Sequence, residues 1–374
     1  MIPSARPWKT WRLIRRIAVT GLVLTEVAAA QPSQGLDALD LAGQQQLVFK
    51  QALTRIAPSV VRIDTIGGAQ PVRRDTQDMS RRAAPGFRQA DGPTTGVVWS
   101  ADGYILTSSF NFARDPVVIT VTLADGRKLV ARLIARDRSA RLALLKINAE
   151  NLPVPARAEA GSLRPGQWTL AAGWGYGGAL PCVTVGILSA LRRMDGRAVQ
   201  TDAKISPANY GGPLFDVEGR LIGVCAPLGP GEDELAGVEW YDSGIGFAVR
   251  CDFVDRRIER LKRGEILRRG LLGVNLDVRE TAVGEASLEE GASGLRILGE
   301  PRGPAAEAGL QTGDVVTRID GMPTPRIVDF KRAVALKAAG DEIKVEYIRS
   351  GDGGSAMLRL AAPSDFKQPP AATP

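Results

Sequence analysis

From Thr94 to Val249 the chain is interrupted by turn formers too often to build helices. "TTGVVWS" and "YILTSS" flank Ala101-Asp102-Gly103, and "VVITVTL" and "KLVARLIA" flank Asp125-Gly126. Further apolar runs follow at "LALLKI", "WTLAAGW", "VTVGILSAL", "RLIGVCA" and "GIGFAV". Each run has the length and composition of a strand, and the separators are the residues that tight turns require. Many short antiparallel strands with almost no helix between them bury their apolar faces as a barrel or a sandwich, so the fold class is mainly β. "QQQLVFKQALTRIA" reads ahead of this region as an amphipathic helix from about Gln44 to Ala57, stopped by Pro58 and followed by a strand through Val60 to Ile66. "FVDRRIERLKR", with Asp252 as N-cap and Gly264 beyond its end, reads as the closing helix.

The remaining segments divide the chain. A basic stretch ending "RLIRR", an apolar run "IAVTGLVL" and then "EVAAAQ" make residues 1–30 an export signal, cleaved after Ala30. An uncleaved membrane anchor is the alternative, but the apolar run is far shorter than the roughly 20 residues a spanning helix needs. Residues 31–66 hold the N-terminal helix and first strand. Residues 67–93, rich in Gly, Pro and charge, read as a flexible loop, and residues 94–263 complete the first domain. A smaller α+β domain follows at 268–363, where strands alternate with two short helical segments. Residues 364–374 end in "KQPPAATP", too rich in proline and small residues to pack, and read as a disordered tail.

The formal charge of +7 does not point to nucleic acid, because five of the basic residues lie within the first sixteen positions and only about +3 remains once residues 1–30 are removed. Cys182, Cys225 and Cys251 lack metal-ligand spacing and are too few for a disulfide framework. They read as small buried hydrophobes, with a Cys225–Cys251 bridge as the alternative in an oxidising compartment. No metal and no cofactor is implied.

"DGYILTS", "LALLKI", "VTVGILSA", "TDAKISPANYGGPLFDVEGRLIGV" and "GPAAEAGLQTGDVVTRIDG" together resemble the high-temperature-requirement (HtrA) proteases over roughly residues 44–363. That resemblance implies a trypsin-like double six-stranded β-barrel followed by a PDZ domain. It also implies a Ser-His-Asp triad, in which histidine takes the serine proton, aspartate orients the histidine and backbone N–H groups receive the oxyanion. At the matching positions this chain carries Phe110 for the histidine, Arg141 for the aspartate and Tyr210 for the serine, and Ala208 replaces a glycine in the oxyanion loop. A shift of register cannot restore the triad, because the chain contains no histidine at all. A phenol with pKa near 10 is almost wholly protonated at neutral pH, so Tyr210 is no substitute nucleophile. A Ser-Lys pair drawn from Lys146 or Lys204 and Ser108, Ser109 or Ser206 is the rescue alternative.

The C-terminal domain resembles PDZ domains in the loop that does the binding, with an ordinary core strand as the alternative reading of "LLGV". In the PDZ family an X-Φ-G-Φ loop offers backbone N–H groups to a peptide's terminal carboxylate while the peptide adds a strand to the sheet edge. Leu271, Leu272, Gly273 and Val274 match that loop. The sequence therefore reads as an exported HtrA-like pseudoprotease whose partners are peptides or unfolded proteins with free C-termini. A serine endopeptidase with an unorthodox site, and a non-catalytic subunit assembling as a homo-trimer or with an active HtrA-like protease, are the alternatives. Nucleic acid is not a partner, and a membrane is one only if the signal stays uncleaved.

Overall fold

Alternating burial folds the strands into closed barrels. The computed structural model describes residues 38–67, 93–112, 115–175, 181–229, 244–277, 281–282 and 293–366. The expected export signal, most of the expected loop at 67–93 and the last residues of the expected tail lie outside them. Helix α1 (Ala38–Ile56) begins earlier than its apolar spacing predicts. Its described residues through Gln44 belong to one compact unit and those from Gln45 to another. In the first, Gln44 donates to the Asp40 carboxylate at 2.9 Å. In the second, Ala52 and Ile56 are fully buried, and a 3₁₀ turn over Ala57–Ser59, with Pro58 inside it, leads into the first strand.

The first barrel contains β1 (Val60–Ile66), β2 (Thr94–Val98), β3 (Tyr104–Ser108), β4 (Val118–Thr122), β5 (Lys128–Asp137) and β6 (Leu142–Ile147) in the cyclic order β1-β2-β3-β6-β5-β4. Val61, Ile63, Ile105, Phe112, Val121 and Leu145 fill it. The second contains β7 (Trp168–Gly173), β8 (Cys182–Arg193), β9 (Ala198–Thr201), β10 (Pro213–Phe215), β11 (Leu221–Cys225) and β12 (Gly246–Arg250), in the order β10-β11-β12-β9-β8-β7. Leu163, Leu188, Val199 and Leu214 belong to its interior. A further cluster that includes Ile56, Leu106, Leu144, Phe215, Leu221 and Leu261 joins the barrels to the helices. Each such large side chain contributes about 1.5–3 kcal/mol by leaving water.

The closing helix differs from its sequence reading. It is two short helices, α2 (Cys251–Asp255) and α3 (Ile258–Lys262), and Asp252 lies in the first turn of α2 rather than capping it. The break falls where Arg257, only 4% exposed, turns inward. Its guanidinium donates to Asp137 Oδ2 at 3.0 Å and Ser139 Oγ at 2.9 Å, and to the carbonyls of Ala335 at 3.0 Å and Lys337 at 2.8 Å. These bonds replace those of a continued helix and tie the first barrel to the C-terminal domain. The three cysteines are free thiols, so the alternative Cys225–Cys251 bridge is not formed. Burial pushes the thiols of Cys225 and Cys251 up to about 12.

The C-terminal domain is a seven-stranded sheet. Its strands are β13 (Asn275–Leu276), β14 (Thr281–Ala282), β15 (Ser293–Leu298), β16 (Val315–Ile319), β17 (Met322–Pro323), β18 (Glu342–Arg349) and β19 (Asp352–Arg359), and α4 (Pro304–Glu307) and α5 (Ile327–Ala335) accompany them. The main path runs β13-β15-β16-β18-β19. Leu272, Leu295, Ile319, Phe330, Val345 and Leu358 are among its core residues. The expected tail begins with a 3₁₀ turn, Pro363–Phe366, instead of disordered chain.

Candidate functional site

The first barrel brings two of the expected triad positions, Phe110 and Arg141, together through backbone. After β3 the chain winds into a 3₁₀ turn, Ser109–Phe112, which carries Phe110 at 7% exposure. Arg141, in the β5–β6 turn, adopts a left-handed φ of 57°, a conformation that costs a non-glycine residue roughly 1–2 kcal/mol. The turn is held in place, since the Asp137 carboxylate accepts from Ser139 Oγ at 2.6 Å and from the Ala140 N–H at 3.1 Å. From there the Arg141 carbonyl accepts the Ser109 N–H at 2.8 Å and the Ser108 hydroxyl at 3.2 Å, fixing the turn that carries Phe110.

The second barrel supplies Tyr210, 6% exposed, on the loop before β10. Its ring meets that of Phe110 edge to face, with centroids 5.4 Å apart and planes at 79°, a geometry worth roughly 0.5–1.5 kcal/mol beyond the area it buries. The cleft between the barrels therefore holds an aromatic pair at two of the expected triad positions, and a phenylalanine side chain has no atom that accepts a proton.

The loop itself is wound tight. Tyr210 N–H donates to the Pro207 carbonyl at 3.3 Å and Asn209 N–H to the Ser206 carbonyl at 2.9 Å. An oxyanion needs donors preorganised on one point, and the Tyr210 donor is engaged inside its own loop. The Ala208 carbonyl accepts Thr95 Oγ1 at 2.7 Å, and that oxygen accepts the Trp174 N–H at 2.6 Å. Asn111, 1% exposed, donates through Nδ2 to Thr107 Oγ1 at 3.1 Å and to the Tyr210 carbonyl at 3.2 Å. Ala208 is not among the residues with positive φ, so its Cβ strains nothing there. Gly211 is different. At φ +89° a Cβ would lie 2.3 Å from both Thr107 Oγ1 and the Thr95 carbonyl. Thr95 and Thr107 gave no signal in the sequence, because threonines inside strands read as ordinary β-formers, and Asn111, in the 3₁₀ turn after β3, belongs to no sequence motif.

The lysine of one Ser-Lys alternative is out of place. Lys146 pairs with Tyr104 at one end of β3 and Ser108 pairs with Leu142 at the other, about 13 Å apart at the rise of a strand. Lys146 Nζ donates to the carbonyls of Asp102 at 2.7 Å and Ile147 at 2.9 Å. Ser206 Oγ bonds Asn209 Oδ1 at 3.1 Å within the loop.

A second site lies on the C-terminal sheet. Leu271 is anchored by reciprocal bonds with Ala361 at 2.9 and 3.0 Å, the Leu272 carbonyl accepts the Ala305 N–H at 3.0 Å, and the Gly273 carbonyl accepts the Arg302 N–H at 2.8 Å. The carbonyls are thereby occupied, while the N–H groups of Leu272, Gly273 and Val274 make no bond among the described residues. Gly273 has φ +90°, and a Cβ there would fall 1.9 Å from the Arg302 carbonyl. Asn275 pairs with Leu298 and Asp277 N–H bonds the Arg296 carbonyl at 2.9 Å. By the alternation of an antiparallel ladder, Val274 and Leu276 turn their backbone groups to the open edge. Between that edge and α5 lies a groove of about 510 Å³, lined among others by Leu272, Val274, Ile327, Phe330, Lys331 and Val334. Phe366 also lines it, its ring 2.9 Å from where a Gly273 Cβ would stand. Sequence reasoning placed Phe366 in the tail, because a single aromatic beside proline and lysine carries no periodicity.

Residues 94–224 match the trypsin-like peptidase domain family and residues 270–360 the PDZ domain family. The chain is 32% identical to a probable periplasmic serine endoprotease DegP-like of Pseudomonas fluorescens, over 92% of this chain and 74% of that one. A protein of the same name from Chlamydia muridarum is 30% identical, over 89% and 71%. Among solved structures, the HtrA-type protease AlgW with a tripeptide superposes with a TM-score of 0.62 at 29% identity, covering 84% of this chain and 96% of that one. The serine endoprotease from Yersinia pestis gives 0.58 at 27% identity, covering 84% and 97%. Two matched domains in the same order, and identity that runs across both, make this chain a member of the HtrA family of DegP-like periplasmic serine endoproteases.

Proposed function

We propose that this chain is an exported, periplasmic HtrA-type pseudoprotease that binds polypeptide C-termini or exposed unfolded segments through its PDZ domain, as a scaffold, chaperone-like holder or regulator. The observation that carries the reading is the Phe110–Tyr210 ring pair in a chain without a single histidine. A nucleophile needs an adjacent base within hydrogen-bond reach, and the place of that base is filled by a benzene ring. The engaged Tyr210 N–H supports the same reading from the oxyanion side.

Binding is supported from the other domain. Three consecutive N–H groups without described partners at Leu272, Gly273 and Val274 present partial positive charge on one turn, which is what a terminal carboxylate requires. The open edge of β13 then accepts the peptide backbone, and Leu272, Phe330 and Val334 receive an apolar last side chain. Solved HtrA-type relatives that carry a tripeptide or a decapeptide, and relatives named as periplasmic, favour a peptide ligand and an exported protein.

The test compares one free-acid peptide with its C-terminal amide on the full-length chain. Amidation removes the charge and keeps every side chain, so the acid binds more tightly by tenfold or more, with an affinity on the order of micromolar as a small interface allows. Equal affinities would remove carboxylate capture from the account.

A further inference from the structure

We infer that the groove selects C-terminal peptides with an acidic residue third from the end, read by Lys331; this rests on the carboxylate-capturing reading above. Along α5, Ile327, Phe330, Lys331 and Val334 fall at the spacing that places residues on one helix face, and all four line the groove. Lys331 is thus the one charge in an otherwise apolar stripe.

The neighbouring cations on that helix are already neutralised. Asp329, 6% exposed at its side chain, pairs with Arg326 at 2.8 Å and Arg332 at 2.9 Å. Elsewhere in the domain Arg349 pairs with Asp314 at 2.7 Å, Lys337 with Asp320 at 2.7 Å and Lys344 with Glu346 at 3.1 Å. Lys331 has no ion pair among the described residues, and neither does Arg302 beside the carboxylate loop; both are exposed and both line the groove. Glu300 is the one carboxylate on the lining, against Arg269, Arg302 and Lys331. The groove is therefore a cationic slot with an apolar floor.

The direction of a bound strand follows from the backbone. Immediately after α5, Ala338 bridges Arg269 and Ala339 N–H bonds the Arg268 carbonyl at 3.0 Å. The C-terminal end of α5 consequently lies beside the carboxylate loop and its N-terminal end lies farther along β13. A peptide whose C-terminus sits on Leu272, Gly273 and Val274 therefore runs, N to C, from the Ile327 end of α5 toward the Val334 end. In a strand alternate side chains share a face, so the last and third-from-last residues both point at α5, about 6.7 Å apart. Lys331 stands about 4.5 Å along the helix axis from Val334, within reach of the third-from-last side chain through its flexible stem. An acidic side chain there meets an ammonium, and a basic one meets it with like charge.

The experiment uses fluorescein-labelled decapeptides and the full-length chain at 50 mM NaCl, read by anisotropy. Three peptides share an Ala-Val free-acid terminus and differ only in having Glu, Gln or Lys third from the end; the fourth is the Glu peptide as its amide. Glu is expected to bind about threefold more tightly than Gln, as a partly exposed ion pair allows, and about tenfold more tightly than Lys. Raising NaCl to 300 mM narrows both ratios. Lys331→Glu reverses the order of the Glu and Lys peptides, and Lys331→Met flattens it while keeping the preference for acid over amide. Equal binding of all three peptides, or a Glu preference that survives in Lys331→Met, overturns the inference and leaves carboxylate capture standing. Equal binding of the Glu acid and its amide overturns carboxylate capture itself and this inference with it.

Discussion

Replacing Arg257 tests how the C-terminal domain is fastened to the first barrel. The residue is 4% exposed and its guanidinium lies 4.2 Å over the Phe253 ring. Its bonds run to Asp137 and Ser139 on one side and to two carbonyls, Ala335 and Lys337, on the other. Arg257→Ala leaves the Asp137 carboxylate, 1% exposed, with only a hydroxyl and an amide as donors, and leaves two carbonyls without their bonds to it. Removing one partner of a buried ion pair costs about 3–5 kcal/mol, and the orphaned carbonyls place the loss at the upper part of that range. With a urea slope of about 3 kcal/mol/M the midpoint falls by about 1.3–1.7 M. Urea titrations followed by circular dichroism and tryptophan fluorescence measure this. The double variant Arg257→Met with Asp137→Leu should lose less than the sum of the two single changes, because no charge is left buried, with a coupling of about 2 kcal/mol. A single-variant loss below about 1 kcal/mol, or strict additivity, would refute the reasoning and make the network incidental.

Gly211→Ala should lower stability by several kcal/mol, because its Cβ would stand 2.3 Å from Thr107 Oγ1 and from the Thr95 carbonyl at a left-handed φ; thermal unfolding measures it, and an unchanged midpoint contradicts the loop geometry. Gly273→Ala, with a Cβ 1.9 Å from the Arg302 carbonyl, should abolish binding of free-acid peptides, read by anisotropy. Native Cys225 and Cys251, with thiols pushed up to about 12, should resist a thiol reagent at pH 8.5 while unfolded chain reacts at once. The stability they contribute is complete below the unfolded thiol pKa of about 8.5 and is lost as pH rises toward 12, so urea midpoints should fall across that window. Tyr210→Ser alone should yield no hydrolysis of casein, since triad members act as a unit and the base and its orienter are still missing.

A mainly β barrel or sandwich was legible in the sequence because turn chemistry and strand length repeat, and the double barrel came only from the resemblance to HtrA proteases. The turn at Asp125-Gly126, for example, has Gly126 at φ +87°, as the dipeptide suggests. What was not legible depended on contacts remote in sequence. The split of "FVDRRIERLKR" into α2 and α3 is set by Arg257 reaching Asp137, 120 residues away, and nothing within the helix marks it. The early start of α1 at Ala38 escaped notice because the residues before Gln44 lack the apolar spacing that identifies a helix. At the cleft, the replaced residues could be read from motif alignment alone, whereas the ring pair, the left-handed Arg141 and the engaged Tyr210 N–H are products of two barrels meeting. At the groove, the X-Φ-G-Φ letters indicate the loop. That Lys331 is left without a described ion partner while Asp329 takes two arginines is a matter of side-chain geometry.

The central claim is that this HtrA-family chain has no hydrolytic centre, and its most direct test is turnover of labelled casein by the purified full-length protein, with and without a serine-directed covalent inhibitor. The account predicts no cleavage above buffer and no covalent labelling at any serine. Cleavage that the inhibitor stops, and that a substitution between residues 94 and 250 abolishes, would contradict it.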